Sequence, residues 1–409
     1  MKRGEDERMY GISRRSFVKA TVSLAAAHSV ARSARTQAAR GSVLAYVGTY
    51  SDHGEGIHLL RQDAATGNLE RVKVFPSAVN PTWLALSPDK RFLYSANEIS
   101  NYVGGSTGSV TAYAIDQANQ NLTAIGTVTS GGAGPAHLSV DAGGRYVFVA
   151  NYGGGSVAVI PIRPDGSLGA PTDVVGDATA CSPPCRVGPG RAEKGPRGNF
   201  SISGHDAPHA HMILPDPPGD HVVANDLGLD RTIVWRIDRA TGKLTVRHTT
   251  PSSAGAGPRH FVFHPNGRWF YSLNEQASTI VFMHYDRGRL NTIDEVSTLP
   301  RGFAGTNFTS EIAISPDGRY VYAANRLHDT IAIFLVGSDG SLRYVSEEWT
   351  RGDYPRSFAF DPAGRYLYSC NHRGDSITVF SVGERGRTLR FTGHYVAVGS
   401  PACIVFLTV

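Results

Sequence analysis

"HFVFHPNGRWFYSLNE", residues 260–275, is two short apolar runs around a Pro-Asn-Gly turn. The runs are rich in aromatic residues and Val, and the turn carries the residue types that reverse a chain. Together they predict a β-hairpin. The same figure recurs five times: "WLALSPDKRFLYSANE" (83–98), "HLSVDAGGRYVFVANY" (137–152), "HMILPDPPGDHVVAND" (211–226), "EIAISPDGRYVYAANR" (311–326) and "SFAFDPAGRYLYSCNH" (357–372). Each hairpin is followed by a third apolar run, a turn and an outer run, as in "STIVFMHYDRGRL" (278–290). The units therefore hold four strands each.

The copies start 54, 74, 49, 51 and 46 residues apart. Four-stranded units of roughly that period are propeller blades. The chain ends supply one more. "SPACIVFLTV" (400–409) matches a first strand, and "VLAYVGTYSDHGEGIHLLRQDAATGNL" (43–69) matches the other three. The sequence thus predicts an all-β, seven-bladed β-propeller of four-stranded antiparallel blades. Its ring is closed by strands from both chain ends, which removes an exposed sheet edge. A β-sandwich does not account for six internal repeats with complementary end fragments. The 74-residue spacing marks an insertion near residues 174–206, rich in Gly, Pro and charge, expected as a loop over one mouth of the ring.

"SRRSFVK" (13–19) is a twin-arginine pattern, followed by the weakly apolar "ATVSLAAAHSVA" (20–31). That stretch is too short to span a bilayer. Residues 1–39 read as an export leader and 40–409 as the propeller, in a periplasmic or secreted protein. The leader holds eight Lys/Arg and three acidic residues, and the whole chain is formally +5. The mature part is therefore about neutral, with no basic face for nucleic acid. No membrane span is expected in it, and its oligomeric state is left open. Cys181 and Cys185, in "CSPPC", could close a small disulfide in an oxidising compartment. Cys370 and Cys403 lie in apolar strand patterns and read as buried thiols.

The blade starts and hairpin ends are where the copies differ. First strands begin Thr82-Trp83, Ala136-His137, Ala210-His211, Arg259-His260, Ser310-Glu311, Arg356-Ser357 and Ala402-Cys403. Second strands end in an Asn followed by Glu98, Tyr152, Asp226, Glu275, Arg326 or His372. The repeated Asn reads as structural. Antiparallel pairing puts both sets at one rim and brings Arg259 near Glu275, and Glu311 near Arg326. "PHAH" adds His209 and His211 at i, i+2, on one side of a strand. This spacing could hold a metal, but no further ligands are evident, so no metal or other cofactor is expected and a neutral imidazole is the better reading. His137 is a further rim candidate. His53, His205, His221 and His264 read as turn or loop residues.

"YVGTY", "GPAHLSV", "VANYGGGSVAV", "PHAH", "GPRHFVFHPNGRWFYSLNE", "SEIAISPDGRYVYAANR" and "DSITVF" cover nearly all of residues 43–409. In that order they resemble the lactonase family of seven-bladed propellers, which includes propeller-type 6-phosphogluconolactonases and carboxymuconate-lactonizing enzymes. The resemblance implies catalytic roles for His211, Arg259, Glu275 and Arg326, and substrate contacts from His137, His209 and Glu311. It implies hydrolysis of a small sugar-type lactone. The insertion before "PHAH" departs from the shorter loop usual there. The export leader favours an unphosphorylated lactone, since phosphorylated sugar lactones are cytosolic. A lactonizing or cycloisomerase reaction, or a non-catalytic propeller that binds a ligand or partner, are the alternatives.

Overall fold

The computed structural model describes residues 43–76 and 79–409. The twin-arginine leader expected over residues 1–39 lies outside the described residues. Seven four-stranded antiparallel sheets form the blades. Blade 1 joins the C-terminal strand Pro401–Thr408 to Val43–Thr49, Ile57–Gln62 and Leu69–Phe75, as expected for a ring closed by both ends. Blades 2 to 7 begin with inner strands Pro81–Leu86, Pro135–Val140, Ala210–Pro215, Pro258–Phe263, Thr309–Ile314 and Pro355–Phe360. Each inner strand pairs with the hairpin partner predicted for it.

The quoted turn shows why the repeats fold locally. Asn266 Oδ1 accepts the N–H groups of Arg268 (2.9 Å) and Trp269 (3.2 Å), so the side chain stands in for a backbone partner. Gly267 takes φ +69°, a conformation that costs Gly little. Either side of the turn, alternate residues enter the junctions with the neighbouring blades.

The apolar core is consequently divided. Seven buried clusters each draw on two adjacent blades, such as Tyr271 with Phe334 and Tyr368 with Leu60. A tyrosine hydroxyl also crosses many junctions to a turn carbonyl of the next blade. Tyr46 reaches Gln120 O (2.7 Å), Tyr94 Gly166 O (3.1 Å), Tyr146 Arg239 O (3.2 Å) and Tyr271 Gly340 O (2.8 Å). Tyr322 donates to Gly386 O, and Tyr368 closes the ring onto Gly67 O (2.7 Å). The hydroxyl supplies the polar partner that a turn carbonyl needs inside an apolar junction.

The repeated Asn is structural. Asn97 donates to Ser109 Oγ (3.0 Å) and Thr111 Oγ1 (2.8 Å), and Asn371 to Thr378 Oγ1 (3.0 Å). Its partners are mostly hydroxyls of the third strand rather than turn backbone.

Every blade carries a register irregularity at the start of its inner strand or opposite it, as between Pro258 and Phe261 and between Thr309 and Ile312. A bulge re-aims the side chains it contains. Arg259 and His260, adjacent in sequence, thereby both escape strict alternation and find partners on other inner strands.

The outer strand of blade 3 is short, Asp173–Gly176. The insertion therefore begins after Gly176, slightly later than the sequence suggested, and runs to the start of the next blade at Ala210. Cys181 and Cys185 are joined in a disulfide there. Cys370 and Cys403 are free and buried. No helix among the described residues is long and apolar enough to cross a membrane.

Candidate active site

Rings from four blades converge on the propeller axis. The centroid of His260 lies 5.1 Å from Trp83, 5.6 Å from His137 and 5.1 Å from His211. Trp83 and His137 are themselves 4.5 Å apart. All three imidazoles are buried. Burial first holds His137 and His211 well below the ordinary histidine range, with His260 and then Arg259 adding to it at His137, and Arg259 and then His260 at His211. Burial and Arg259 do the same to His260. These rings are neutral at physiological pH.

Above this cluster lies a buried ion-pair network. Glu275 Oε2 is 2.9 Å from Arg259 Nε and 2.5 Å from Arg326 Nη2. Burial alone would raise the Glu275 carboxyl, but Arg326 and Arg259 hold it below the usual range, so it is ionised. Arg259 is 1% exposed, and burial followed by repulsion from Arg326 pushes its guanidinium down to about 10. One Arg259 Nη1 N–H goes to Ser310 O. The carboxylate is close but not aligned with every donor: Arg259 Nε and Arg326 Nε and Nη2 are buried without a directed hydrogen bond. The charges are paired while hydrogen-bonding capacity is left unused.

Across the mouth, Glu98 Oε2 accepts from Tyr50 Oη and Thr82 Oγ1, both at 2.7 Å, and lies 3.4 Å from Arg356 Nη2. The Arg356 guanidinium sits 4.8 Å from the Tyr50 ring centroid. Tyr354 Oη accepts from Arg326 Nη1 at 3.2 Å. The mouth thus gathers three guanidinium groups, Arg259, Arg326 and Arg356, against the carboxylates Glu275 and Glu98.

The predicted residues are brought together only in part. Arg259, Glu275, Arg326 and His211 share the mouth, and the His137 ring packs against Trp83. Glu311 does not pair with Arg326. Its Oε1 instead lies 2.9 Å from His260 Nδ1 and accepts the Ile312 N–H at 3.0 Å. The register irregularity between Thr309 and Ile312 turns Glu311 away from the strand end, and Arg326 goes to the preceding blade's Glu275. His209 and His211 both lie against the Tyr152 ring, His211 edge-on at 5.5 Å between centroids. His209 precedes the strand, stacks on Tyr152 at 4.3 Å, and places its nitrogens 2.8 Å from Tyr152 O and 3.1 Å from Asp206 Oδ1. His205, read as a loop residue, is in a loop but fully buried against Asp230 (3.1 Å). Among the described residues no three His, Cys, Asp or Glu side chains gather as metal ligands.

Sequence reading passed over Arg356, His260, Tyr50 and Glu98. Arg356 and His260 stood in the aligned blade starts, Arg356 at the position of Arg259. Tyr50 follows Thr49 where the split blade has no Asn to flag the strand end.

The insertion is fastened beside this mouth. Ser203 N donates to Gln276 Oε1 (2.7 Å), and Gln276 Nε2 returns a bond to Gly190 O (3.2 Å). Lys194 pairs with Glu295 (2.7 Å). A Cβ at Gly204 would lie 2.4 Å from Tyr152 Oη, so the backbone passes directly over that ring. A surface recess of about 820 Å³, lined by Asp216, His221, Arg236 and Tyr285, lies at the other ends of the strands of blades 4 and 5. Its Asp216 is already bonded to His221 (3.1 Å) and Tyr285 (2.5 Å). Convergent charged and imidazole groups, rather than volume, mark the mouth as the candidate site.

The family description "Lactonase, 7-bladed beta-propeller" matches residues 44–406. A 6-phosphogluconolactonase of Bacillus subtilis is 33% identical over 319 residues, covering 77% of this chain and 84% of that protein. A 6-phosphogluconolactonase of Pectobacterium carotovorum is 31% identical, covering 75% and 82%. The solved periplasmic gluconolactonase of Pseudomonas aeruginosa is 30% identical, with a TM-score of 0.78 over 90% of this chain and 99% of that one. With the match spanning all seven blades, the chain belongs to the lactonase family of seven-bladed β-propellers.

Proposed function

We propose that this protein hydrolyses a small, unphosphorylated sugar-type lactone at the mouth formed by His211, Arg259, Glu275 and Arg326. The observation that carries this reading is the pair of buried guanidinium groups, Arg259 and Arg326, on one Glu275 oxygen, with Arg326 Nε left without an acceptor, beside neutral His211. A lactone carbonyl supplies the acceptor, and its tetrahedral oxyanion supplies negative charge where positive charge is in excess. Neutral His211 takes a proton from the attacking water. The ring C–O bond then breaks, and the same proton returns to the departing alkoxide, giving a hydroxy acid. Glu275 fixes the two arginines, and Arg356 is a third donor at the opposite wall. His137 and His209 shape the wall, the latter through Tyr152 and Asp206.

Charge supports a substrate without phosphate. Three guanidinium groups face the carboxylates Glu275 and Glu98, while burial raises the Glu311 carboxyl to about 8 and keeps it mostly neutral at pH 7, so the excess there is one that a single oxyanion matches. The twin-arginine leader supports an extracytoplasmic setting, where phosphorylated sugar lactones are not expected. The similarity to a periplasmic gluconolactonase points the same way.

A panel of sugar 1,4- and 1,5-lactones, followed by NMR for appearance of the open acid, tests the proposal. His211→Ala should lower kcat by about 10²–10⁴-fold, the usual contribution of a general base, with the thermal transition retained. Unchanged turnover in that variant would remove His211 from the reaction.

A further inference from the structure

Resting on the lactonase reading, we infer that Glu311 and His260 form a buried proton relay behind His211, in the order Glu311–His260–His211. Neither relay residue touches substrate in this arrangement; both are positioning residues that set the basicity of the imidazole that does.

The geometry is that of a carboxyl-oriented imidazole with a second imidazole beyond it. Glu311 Oε1 is 2.9 Å from His260 Nδ1. The same oxygen accepts the Ile312 N–H, which fixes it as an acceptor and makes His260 Nδ1 the donor. The other His260 nitrogen, Nε2, is therefore an unprotonated acceptor, and it is buried with no partner. His211 Nδ1 is likewise buried with no partner. The two rings are 5.1 Å apart at an interplanar angle of 71°. The two rings are not hydrogen-bonded in the structure, but at that spacing ring nitrogens turned toward each other reach about 3 Å, a normal hydrogen-bond length. Two orphaned nitrogens of complementary type in adjacent buried rings would otherwise each cost desolvation energy.

The proton balance closes within these groups. As water adds to the lactone carbonyl, one proton passes to His211 Nε2. His211 Nδ1–H passes a proton to His260 Nε2, and His260 Nδ1–H passes one to the Glu311 carboxylate. When the ring C–O bond breaks, the three transfers reverse and the alkoxide receives the proton. No co-reactant is required. His211 never carries a full positive charge, which the nearby Arg259, Arg326 and Arg356 would oppose.

The groups facing Glu311 set when it can accept. Burial pushes its carboxyl up to about 8, with Arg259, the Ile312 N–H and Arg356 pulling the other way. The buried thiols Cys370 and Cys403 also face it and are themselves raised by burial. Arg259, Arg356, Arg326 and Glu275 face His260. The ionised fraction of Glu311 thus grows through the mildly alkaline range, and the relay should open with it.

The test is the pH profile of wild type and Glu311→Gln on D-galactono-1,4-lactone, corrected at each pH for the protein-free rate. Wild-type kcat/KM should rise roughly tenfold from about pH 7 to about pH 9, and Glu311→Gln should be flat over that range. A purely structural Glu311 would lower the rate at every pH and keep the limb. In parallel, ¹⁵N-histidine NMR of both proteins should show the His211 and His260 rings responding to Glu311 ionisation in wild type only. A limb retained in Glu311→Gln, or rings blind to position 311, overturns the relay while leaving the lactonase reading intact. Coupled ring titrations without turnover of any lactone would support the relay and sink the lactonase reading instead.

Discussion

Glu275→Ala should destabilise the fold by about 3–5 kcal/mol and abolish turnover. One carboxylate oxygen neutralises both Arg259 and Arg326, and all three side chains are nearly buried. Removing it leaves two guanidinium groups facing each other away from water, with no acceptor to replace it. This loss is not the worth of the ion pair, because much of it is the penalty of stranding the partners. A compensating variant separates the two effects. Arg259→Met combined with Glu275→Gln removes one charge of each sign, so part of the lost stability should return while turnover stays absent. Urea unfolding midpoints measure the first effect and lactone turnover the second. A Glu275→Ala protein as stable as wild type would mean that the network is solvated in solution.

Stability should also collapse in acid, at about 4 kcal/mol per pH unit below roughly pH 4.5. His137, His211 and His260 have folded pKa values held well below their unfolded values by burial and by Arg259. Below the unfolded value the denatured chain binds three protons that the folded protein refuses, so stability falls as pH falls. Glu311 and Asp177 act in the opposite sense. Burial raises both. Between the ordinary carboxyl range and their folded values the native state holds their protons and the unfolded state does not, so they favour lower pH. Three rings against two carboxyls leave one net proton taken up on unfolding, so stability still rises by about 1.4 kcal/mol per pH unit from about pH 4.5 to 6.5. Stability should therefore peak near pH 6.5 and decline on the alkaline side until Glu311 has titrated. Urea unfolding across pH measures the curve, and Glu311→Gln should flatten its alkaline arm. A curve level from neutrality to about pH 3.5 would show that the histidines are not buried neutral.

The ring architecture was legible because it is repetitive. Six copies of one hairpin, each with Asn at its end, specify strands, turns and register, and two end fragments specify closure. The candidate site was legible only where copies differ in residue type, as at Arg259, Glu275 and Arg326. What strict alternation could not foretell was the local break in register at each blade mouth. Those breaks pair Arg326 with Glu275 rather than Glu311, and place Glu311 against His260. Arg356 and His260 were visible in the alignment of blade starts but gain meaning only from partners on other blades. The insertion was recognisable as extra chain, yet its anchors at Gln276, Asp230 and Glu295 depend on three-dimensional proximity that no local pattern encodes.

The central claim is that the arginines of this mouth stabilise the oxyanion of an opening lactone. Its most direct test is pH-stat titration of the acid released from sugar lactones by the mature protein and by Arg259→Ala. The expected result is saturable, protein-dependent acid release that falls about 10²–10³-fold in kcat in the variant. Acid release equal in both proteins, or none from any lactone with the wild type, would contradict it.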